Sequence, residues 1–304
     1  MARIVVTNPP PESLTTDPFQ LAQAAAHEIA RRTGVARHDA FVILGSGFAA
    51  AADWLGDATA SVPFSELPGF PRGLNAMHVQ TIRSVNVGGL EVLVLLGRAH
   101  LYEGFSAGEV VHGVRAAALS GCRTAIINNI CGSLRPEWTA GQQVLIKDHI
   151  NFSGRSPLVG PPPPAPHKGW FQDLTEAYSV RLRALAQEIQ PGLPEGIYGG
   201  WLGPQFETPA EIRMMRTLGC DLVGMSTVME VIAARHMGLE TLALSVVGNL
   251  AAGLGPKLDS PEVQIEATRA VPPLGDLLLR LLERLARDHA SEVSTNEPGG
   301  GLNA

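Results

Sequence analysis

Short apolar runs bounded by glycine recur along the chain, and they constrain its fold more than any other feature. There are six of them: Phe41–Leu44, Val92–Leu96, Thr124–Ile127, Val144–Ile146, Leu222–Val223 and Thr241–Val247. Runs that are this short and this continuously apolar are typical of strands buried on both faces, as in a parallel sheet.

Segments with helical spacing separate several of these runs. Apolar residues recur at steps of three and four before Gly121 and again before Gly238. A long leucine stripe near the end of the chain consists of Leu274, Leu277, Leu278, Leu281, Leu282 and Leu285. The stripe covers too few heptads for a coiled coil and indicates core packing. Strands that alternate with helices predict a layered α/β fold with a mainly parallel sheet, whose ligands bind at the carboxyl ends of the strands.

The length of 304 residues suits one large domain or two small ones. The first 17 residues are rich in proline and predict a flexible arm, whereas the polar, glycine-rich stretch 291–304 predicts a disordered tail. Residues 18–290 are then the folded part. Within them, the proline-rich run 161–166 predicts a stiff extended segment, either a loop or a spacer between two domains.

Composition excludes several classes of protein. The net charge is -6 without any basic run, which argues against nucleic-acid binding. We find neither an apolar run of about 18 residues nor the apolar core of a signal peptide, so we expect a soluble, cytoplasmic protein with no membrane partner. The three cysteines Cys122, Cys131 and Cys220 have no metal-binding spacing. We expect them to be small buried side chains and expect no metal site.

Two segments after predicted strands are candidates for an anion site. Gly45-Ser46-Gly47 leads into a run of small residues, where a turn lets the backbone approach a ligand and a following helix would favour an anion. In the second segment, Arg98, His100 and Tyr102 alternate, so an extended chain places them on one face. Arginine and histidine donors on one face predict a phosphate clamp, although a solvated strand end or a plain tight turn is compatible with each pattern.

A third segment, Gly203-Pro204-Gln205-Phe206-Glu207-Thr208-Pro209-Ala210-Glu211, places an aromatic ring beside a carboxylate. Its Thr208, Pro209 and Glu211 predict a capped helix start that holds Glu207 just outside the helix. A ring that stacks and an acid that accepts hydrogen bonds suit a flat heterocycle carrying N–H groups. A small turn, Gly224-Met225-Ser226-Thr227, follows, and its Ser226 is a candidate both to cap the next helix and to donate to an anion, two roles that are compatible.

Taken together, these sequence motifs resemble those of the trimeric-type purine nucleoside phosphorylases. The resemblance runs from about Val42 to Ala252 and includes Leu67-Pro68-Gly69-Phe70-Pro71, Lys147-Asp148-His149-Ile150-Asn151 and Val223–Val228. It implies a single-domain three-layer sandwich, with a mixed, mainly parallel twisted sheet flanked by helices, and it makes the proline run a loop. It also implies phosphorolysis of 6-oxopurine (deoxy)ribonucleosides by a homotrimer, with inorganic phosphate as co-substrate and no other cofactor.

The resemblance assigns roles to eleven residues. The implied phosphate-binding residues are Ser46, His78, Arg98, His100, Ser226 and the backbone N–H of Ile130. The implied nucleoside-binding residues are Tyr102, Phe206, Glu207, Met225 and Asn249. Among these, His100, Glu207 and Asn249 are the implied catalytic residues, with Glu207 on the purine N1–H and Asn249 on the O6/N7 edge.

The chain departs from the family pattern mainly at the sugar end. Ile130 and Cys131 replace two alanines, so we expect a narrower sugar–phosphate site. Gly248 replaces a threonine near the base, and Met229 replaces a proline. Pro261 stands where the family carries the histidine that contacts the ribose 5′-hydroxyl.

These departures leave two alternatives open beside a phosphorylase for inosine, guanosine or xanthosine. One is a phosphorylase for 5′-methylthioadenosine or another 5′-modified nucleoside, although Asn249 and Glu207 favour a 6-oxopurine. The other is a weakly active homologue that binds purine nucleosides, although intact Ser46, Arg98 and His100 favour an enzyme.

Overall fold

The computed structural model describes residues 17–163, 169–256 and 260–296, without the side chains of 260–263 and 292–296. The described strands are β1 (Ala40–Leu44), β2 (Ala60–Pro63), β3 (Thr81–Val87), β4 (Leu90–Leu96), β5 (Thr124–Ser133), β6 (Gln143–Asn151), β7 (Glu195–Gly200), β8 (Leu222–Gly224) and β9 (Glu240–Leu250). The described α-helices are α1 (Pro18–Thr33), α2 (Ala107–Val110), α3 (His112–Leu119), α4 (Val180–Ile189), α5 (Pro209–Thr217), α6 (Val228–His236) and α7 (Ser260–Asn296). All six apolar runs lie in strands, which confirms the α/β prediction.

The nine described strands form one mixed sheet in the order β2-β3-β4-β1-β5-β8-β7-β6-β9. Strand β9 also pairs with β5 over Thr124–Ser133, so strands β5 to β9 close on themselves while β1, β4, β3 and β2 extend to one side. Five of the nine described pairings are parallel and four are antiparallel. The mixed sheet predicted from the resemblance is therefore present, with parallel pairs only slightly in excess.

Two apolar clusters cover the sheet, one on each side. The first joins β1 and β5 to α1, α3 and α6, and includes Phe41, Val114 and Val231. The second joins the opposite faces of the same strands to α7, whose predicted leucine stripe is fully packed, with Leu274, Leu277 and Leu278 at 0% exposure. Because both faces of the central strands are covered by helices, their sequences carry no polar alternation. The arrangement is the predicted three-layer sandwich.

Some helices begin or end at residues other than those predicted. The helical segment before Gly121 is two helices, α2 and α3, separated at Val111. Helix α7 continues to Asn296, beyond the predicted end of the folded part at residue 290. Residues 1–16 and 297–304 lie outside the described residues, so the flexible arm and the disordered tail stay predictions. The centre of the proline run, at 164–166, lies outside them too.

None of the described helices has a stretch apolar enough to cross a membrane. The three cysteines are free and buried, as predicted. Within the described ranges no group of three or more histidine, cysteine, aspartate or glutamate side chains is placed to hold a metal ion.

Candidate active site

A cavity opens at the carboxyl ends of β1, β4, β5, β8 and β9. Polar donors, a carboxylate and an aromatic ring meet in it, although they come from segments up to about 200 residues apart in the chain. Ten of the eleven predicted site residues line it: Ser46, Arg98, His100, Tyr102, Ile130, Phe206, Glu207, Met225, Ser226 and Asn249. The eleventh, His78, lies behind Ser46 and does not line the cavity.

At one end of the cavity, the guanidinium of Arg98 is buried and held on three sides. Its Nη1 lies 3.2 Å from Oε2 of Glu230 and 3.4 Å from Oγ1 of Thr227, and its Nη2 donates to the carbonyl of Asn128. The side chains of Arg98 and Glu230 are 3% and 2% exposed. Burying a cation demands such partners, and here they fix the guanidinium at the cavity wall. An anion is the ligand that this end can bind.

His100 is the second donor at this end, and its ring is held by two neighbours. Nδ1 lies 2.8 Å from Oε1 of Glu103, which also accepts the His100 backbone N–H at 2.9 Å, and the ring stacks on Tyr102 with centroids 4.6 Å apart. Burial alone would raise the pKa of Glu103, but hydrogen bonds from His100 and from the backbone of Leu74 lower it to about 2. Glu103 is therefore a carboxylate that orients His100.

Ser226 lies in a tight turn. The N–H of Val228 donates to the Ser226 carbonyl at 2.7 Å, and Thr227 has a φ of 71°. Thr227, not Ser226, is the residue that precedes α6, and no side chain caps this helix, so the cap considered for Ser226 is not formed. The Thr227 hydroxyl instead accepts from Nδ2 of Asn129 at 2.9 Å. Because β5 holds Thr227 in this way, the Ser226 hydroxyl is left at the cavity.

The opposite end of the cavity combines a ring, an acid and an amide. Phe206 is 44% exposed at the mouth, whereas Glu207 is 6% exposed. The capping box of Thr208 and Glu211 at the start of α5 is present as predicted, so the backbone next to Glu207 is fixed. Burial raises the pKa of Glu207. Across the cavity, Nδ2 of Asn249 donates to the Leu250 carbonyl at 2.8 Å, which orients the amide at the end of β9.

Between these ends, the wall is mostly apolar. Met225 and Tyr102 meet over Gly203, where a Cβ would lie 2.3 Å from the Met225 sulfur. Ile130 packs partly against the apolar cluster on the α7 side, and burial raises the pKa of the Cys131 thiol to about 12. Cys131 is thus an uncharged wall residue. Residue 261 has no described side chain, so the prediction about the ribose 5′ position lies outside the described residues.

The segment after Gly47 is a helix of the 3-10 type, Ala49–Leu55. One local prediction around this site was wrong. The chain from Arg98 to Tyr102 is not extended throughout, because Leu101–Glu103 form a 3-10 turn. Tyr102 still reaches the cavity by stacking on His100.

A substitution at Gly224 tests how closely the side chains beneath Ser226 are packed. A Cβ at this position would lie 2.1 Å from the hydroxyl of Tyr198, which is fully buried. We expect Gly224→Ala to lower the free energy of unfolding by about 1–3 kcal/mol, because Tyr198 or the turn must move. Urea denaturation measures the change, and Gly169→Ala, where a Cβ would meet open space and the backbone is not left-handed, is the control for glycine replacement. Equal losses in the two variants would contradict the close-packing argument.

Comparison with known proteins agrees with this geometry. The sequence profile of the phosphorylase superfamily matches residues 39–283. The purine nucleoside phosphorylase of a Cellulomonas species is 50% identical over 278 residues, which cover 90% of this chain and 96% of that protein. The purine nucleoside phosphorylase of Mycobacterium tuberculosis is 49% identical over 88% of this chain and 97% of that protein.

Solved structures show the same likeness. Isoform 2 of the purine nucleoside phosphorylase of Schistosoma mansoni, in complex with cytosine and ribose-1-phosphate, matches with a TM-score of 0.81 at 34% identity. The match covers 88% of this chain and 99% of that one. A second Schistosoma structure, in complex with hypoxanthine, has a TM-score of 0.79 at 30% identity and covers 88% and 97% of the two chains. The fold and the cavity define a phosphorylase of the nucleoside-cleaving class. Within the phosphorylase superfamily, this chain belongs with the purine nucleoside phosphorylases.

Three residues that support the site were not assigned a role from the sequence. Glu103 orients His100, Glu230 pairs with Arg98, and Asn129 holds the Thr227 turn. Of the three, only Glu103 had a local sequence signal, because it lies three residues after His100 and the two residues cap the same turn. Glu230 and Asn129 act on residues about 100 or more positions away, so no local pattern pointed to them.

Proposed function

We propose that this protein catalyses the reversible phosphorolysis of 6-oxopurine nucleosides, releasing the free purine base and (deoxy)ribose 1-phosphate. One observation carries the proposal: a single cavity has an anion-binding end at Arg98, His100 and Ser226 and a heterocycle-binding end at Glu207 and Asn249. The sugar then spans the wall formed by Tyr102 and Met225.

In this reaction a phosphate oxygen bonds to the anomeric carbon while the bond from that carbon to purine N9 breaks. The electron pair leaves with the purine, and the sugar carries positive charge in the transition state. Phosphate held by Arg98 lies beside that positive charge. Asn249 stabilises the negative charge that develops on the purine by donating to the O6/N7 edge, and Glu207 holds the base in place by accepting the N1–H. Hydrogen bonds that strengthen in the transition state are the ones that accelerate the reaction.

The test is a panel of inosine, guanosine, xanthosine, adenosine and 5′-methylthioadenosine, each incubated with and without phosphate. We expect phosphate-dependent release of base from the 6-oxopurine nucleosides and little from adenosine. Preferred cleavage of 5′-methylthioadenosine would replace the proposal with that phosphorylase activity. Binding of purines without any cleavage would reject the enzyme in favour of a binding protein. We propose no cofactor beyond phosphate as co-substrate, and we therefore expect EDTA to leave the rate unchanged.

The pH dependence of substrate binding tests the role of Glu207. The carboxylate form accepts the purine N1–H more strongly than the neutral acid does, and burial raises the pKa of Glu207 above its ordinary value. That form is lost as the pH falls through the raised pKa, so KM for inosine should rise on acidification earlier than for an ordinary carboxyl group. Steady-state kinetics at saturating phosphate measure it. Glu207→Gln should show a higher KM with no such rise, and a matching rise in that variant would contradict the assignment.

We further propose that the protein is a cytoplasmic homotrimer. Trp170 and Phe171 support an assembly, because they are 55% and 92% exposed on a loop that is tied to the body of the molecule. Two contacts hold this loop. Nη2 of Arg115 donates to the Pro157 carbonyl at 2.8 Å, and Nε2 of His236 lies 2.7 Å from the Gly169 carbonyl oxygen. Sedimentation equilibrium should give three times the chain mass, and a monomer at all concentrations would contradict the proposal.

A further inference from the structure

Asn75 lies in the segment before β3, half-buried and just behind the cavity wall. Three of its polar groups hold it in place. Its backbone N–H donates to Oε2 of Glu103 at 3.3 Å, and its carbonyl accepts the N–H of His78 at 3.1 Å. Its Oδ1 accepts the N–H of Met77 at 3.0 Å. The amide nitrogen Nδ2 is the group of Asn75 that is left to act on the site.

The contact with Met77 fixes which way the amide of Asn75 points. A backbone N–H can only donate, so the side-chain atom that it meets is the oxygen, and the –NH2 group lies on the other side. There Nδ2 is 3.3 Å from the hydroxyl oxygen of Tyr102 and 3.4 Å from Oγ of Ser46. The two hydrogens of the amide therefore face two hydroxyl groups of residues that line the cavity.

The direction of the Tyr102 hydroxyl follows from this donor. An amide –NH2 group has no lone pair to offer, so the Tyr102 oxygen accepts from Asn75. Burial raises the pKa of Tyr102, and the hydroxyl keeps its own proton. The ring itself is fixed by stacking on His100, with centroids 4.6 Å apart. With Asn75 on one side of the oxygen, the proton of Tyr102 is free to point into the cavity, where it is a hydrogen-bond donor.

The stereochemistry of the reaction indicates which part of the nucleoside meets this donor. In a β-nucleoside the base lies on one face of the sugar ring, and the 2′- and 3′-hydroxyls lie on the other. Phosphate displaces the base from the face opposite to it, so phosphate approaches on the face that carries the hydroxyls. Tyr102 lies beside His100 at the anion-binding end of the cavity. Its hydroxyl is therefore on the same side of the sugar as these two hydroxyls.

We propose that Asn75 is a positioning residue for the sugar: by donating to the Tyr102 hydroxyl, it orients this hydroxyl as a donor to a sugar hydroxyl on the phosphate-facing side. The inference rests on the proposed phosphorolysis and adds a sugar class to it, namely nucleosides that keep a 2′- or 3′-hydroxyl. It gives Asn75 two functions, since Oδ1 anchors the side chain to the backbone and Nδ2 sets the hydroxyl.

Inosine and 2′,3′-dideoxyinosine measure the contact when their kcat/KM values are expressed as a ratio. The intrinsic reactivity of the two nucleosides cancels when this ratio is compared between variants. We expect Tyr102→Phe to lower the ratio about tenfold, the loss of one hydrogen bond. Asn75→Asp should lower it to a similar extent, because a carboxylate accepts from Tyr102 and turns the proton away from the sugar. Asn75→Ala should lower it only about threefold, since the hydroxyl can then rotate freely.

Asn151→Asp is the matched control for the amide replacement. The side chain of Asn151 also accepts a backbone N–H two residues further on, from Ser153 at 3.1 Å, and it does not line the cavity. This variant should leave the ratio unchanged. The 2′-deoxy and 3′-deoxy forms of inosine then show which hydroxyl is bound, because only the removal of that hydroxyl abolishes the difference between the wild type and Asn75→Asp. Thermal melting reports structural damage in each variant.

A double-mutant cycle tests whether Asn75 acts through Tyr102. If it does, adding Asn75→Asp to Tyr102→Phe should not lower the ratio further. A full tenfold drop in the Tyr102→Phe background would overturn the proposal. Equal losses on inosine and 2′,3′-dideoxyinosine in Asn75→Asp would overturn it as well, because a residue with a merely structural role affects both nucleosides alike.

Calorimetric binding of the two nucleosides without phosphate separates this proposal from phosphorolysis itself. We expect the wild type to bind inosine more tightly than 2′,3′-dideoxyinosine and Asn75→Asp to lose most of this preference. If the preference is as expected but no nucleoside is cleaved, the proposed function fails while the sugar contact stands. If cleavage depends on phosphate but the wild type shows no preference in binding or in the ratio, the inference fails while the proposed function stands.

Discussion

Replacing Arg98 with alanine is expected to raise the phosphate KM by about 10²-fold and to destabilise the protein at the same time. The first effect follows because charge-assisted bonds from a guanidinium to phosphate contribute about 1.5–3 kcal/mol each. The second follows because Glu230, whose side chain is 2% exposed, keeps a buried charge without a partner. Breaking such a pair costs about 3–5 kcal/mol of unfolding free energy.

The double variant Arg98→Ala/Glu230→Gln separates the two effects. Removing the stranded carboxylate should recover much of the stability in urea denaturation, while the phosphate KM stays high. Arg183→Ala is the matched control, because Arg183 pairs with Glu195 between α4 and β7, away from the cavity. It should lower stability without changing the phosphate KM. Recovery of a normal phosphate KM in the double variant would show that Arg98 does not bind phosphate.

Replacing Asn249 with alanine is expected to lower kcat on 6-oxopurine nucleosides by about 10²-fold or more, because its amide binds the purine as charge develops. The nucleoside KM should change less, since the interaction strengthens only in the transition state. Asn249 belongs to β9 and its amide is anchored on the Leu250 carbonyl, so the truncation leaves the strand intact. Steady-state kinetics on inosine and guanosine measure the effect.

Asn249→Asp is the size-matched companion to this variant. A carboxylate cannot donate to O6 but can accept from the exocyclic amine of adenine, so the ratio of kcat/KM for adenosine over inosine should rise. Turnover by Asn249→Ala that equals the wild type on every 6-oxopurine nucleoside would remove Asn249 from the base site. An unchanged ratio for Asn249→Asp would also contradict its contact with the six-position of the purine.

Several parts of the fold and the site were readable from short windows of sequence. The buried strands gave continuous apolar runs because both of their faces are covered by helices. The start of α5 was readable because Thr208 and Glu211 satisfy each other's backbone donors within four residues. These features depend on neighbours close in the chain, and local chemistry therefore predicts them.

The features that local sequence did not predict depend on partners far away in the chain. Ser226 was a possible helix cap by local rules, but Asn129 on β5 holds Thr227 in a tight turn and leaves Ser226 facing the cavity. His78 was assigned to the phosphate site by its spacing alone, and the structure adds contacts of its ring with the Arg98 backbone N–H and the Ser46 hydroxyl that no local rule predicts. In each case a partner distant in sequence decides the orientation of a polar side chain.

The sequence by itself determined the layered α/β class, the residue types at the site and their order along the chain. Apolar periodicity and helix capping involve residues a few positions apart, so short stretches of sequence are enough to predict them. Only the tertiary structure decided the pairing of β9 with β5, the burial of Glu230 against Arg98 and the bond from Asn129 to Thr227. Those depend on which groups meet when the sheet closes, because a buried polar group must find its partner wherever the fold brings one.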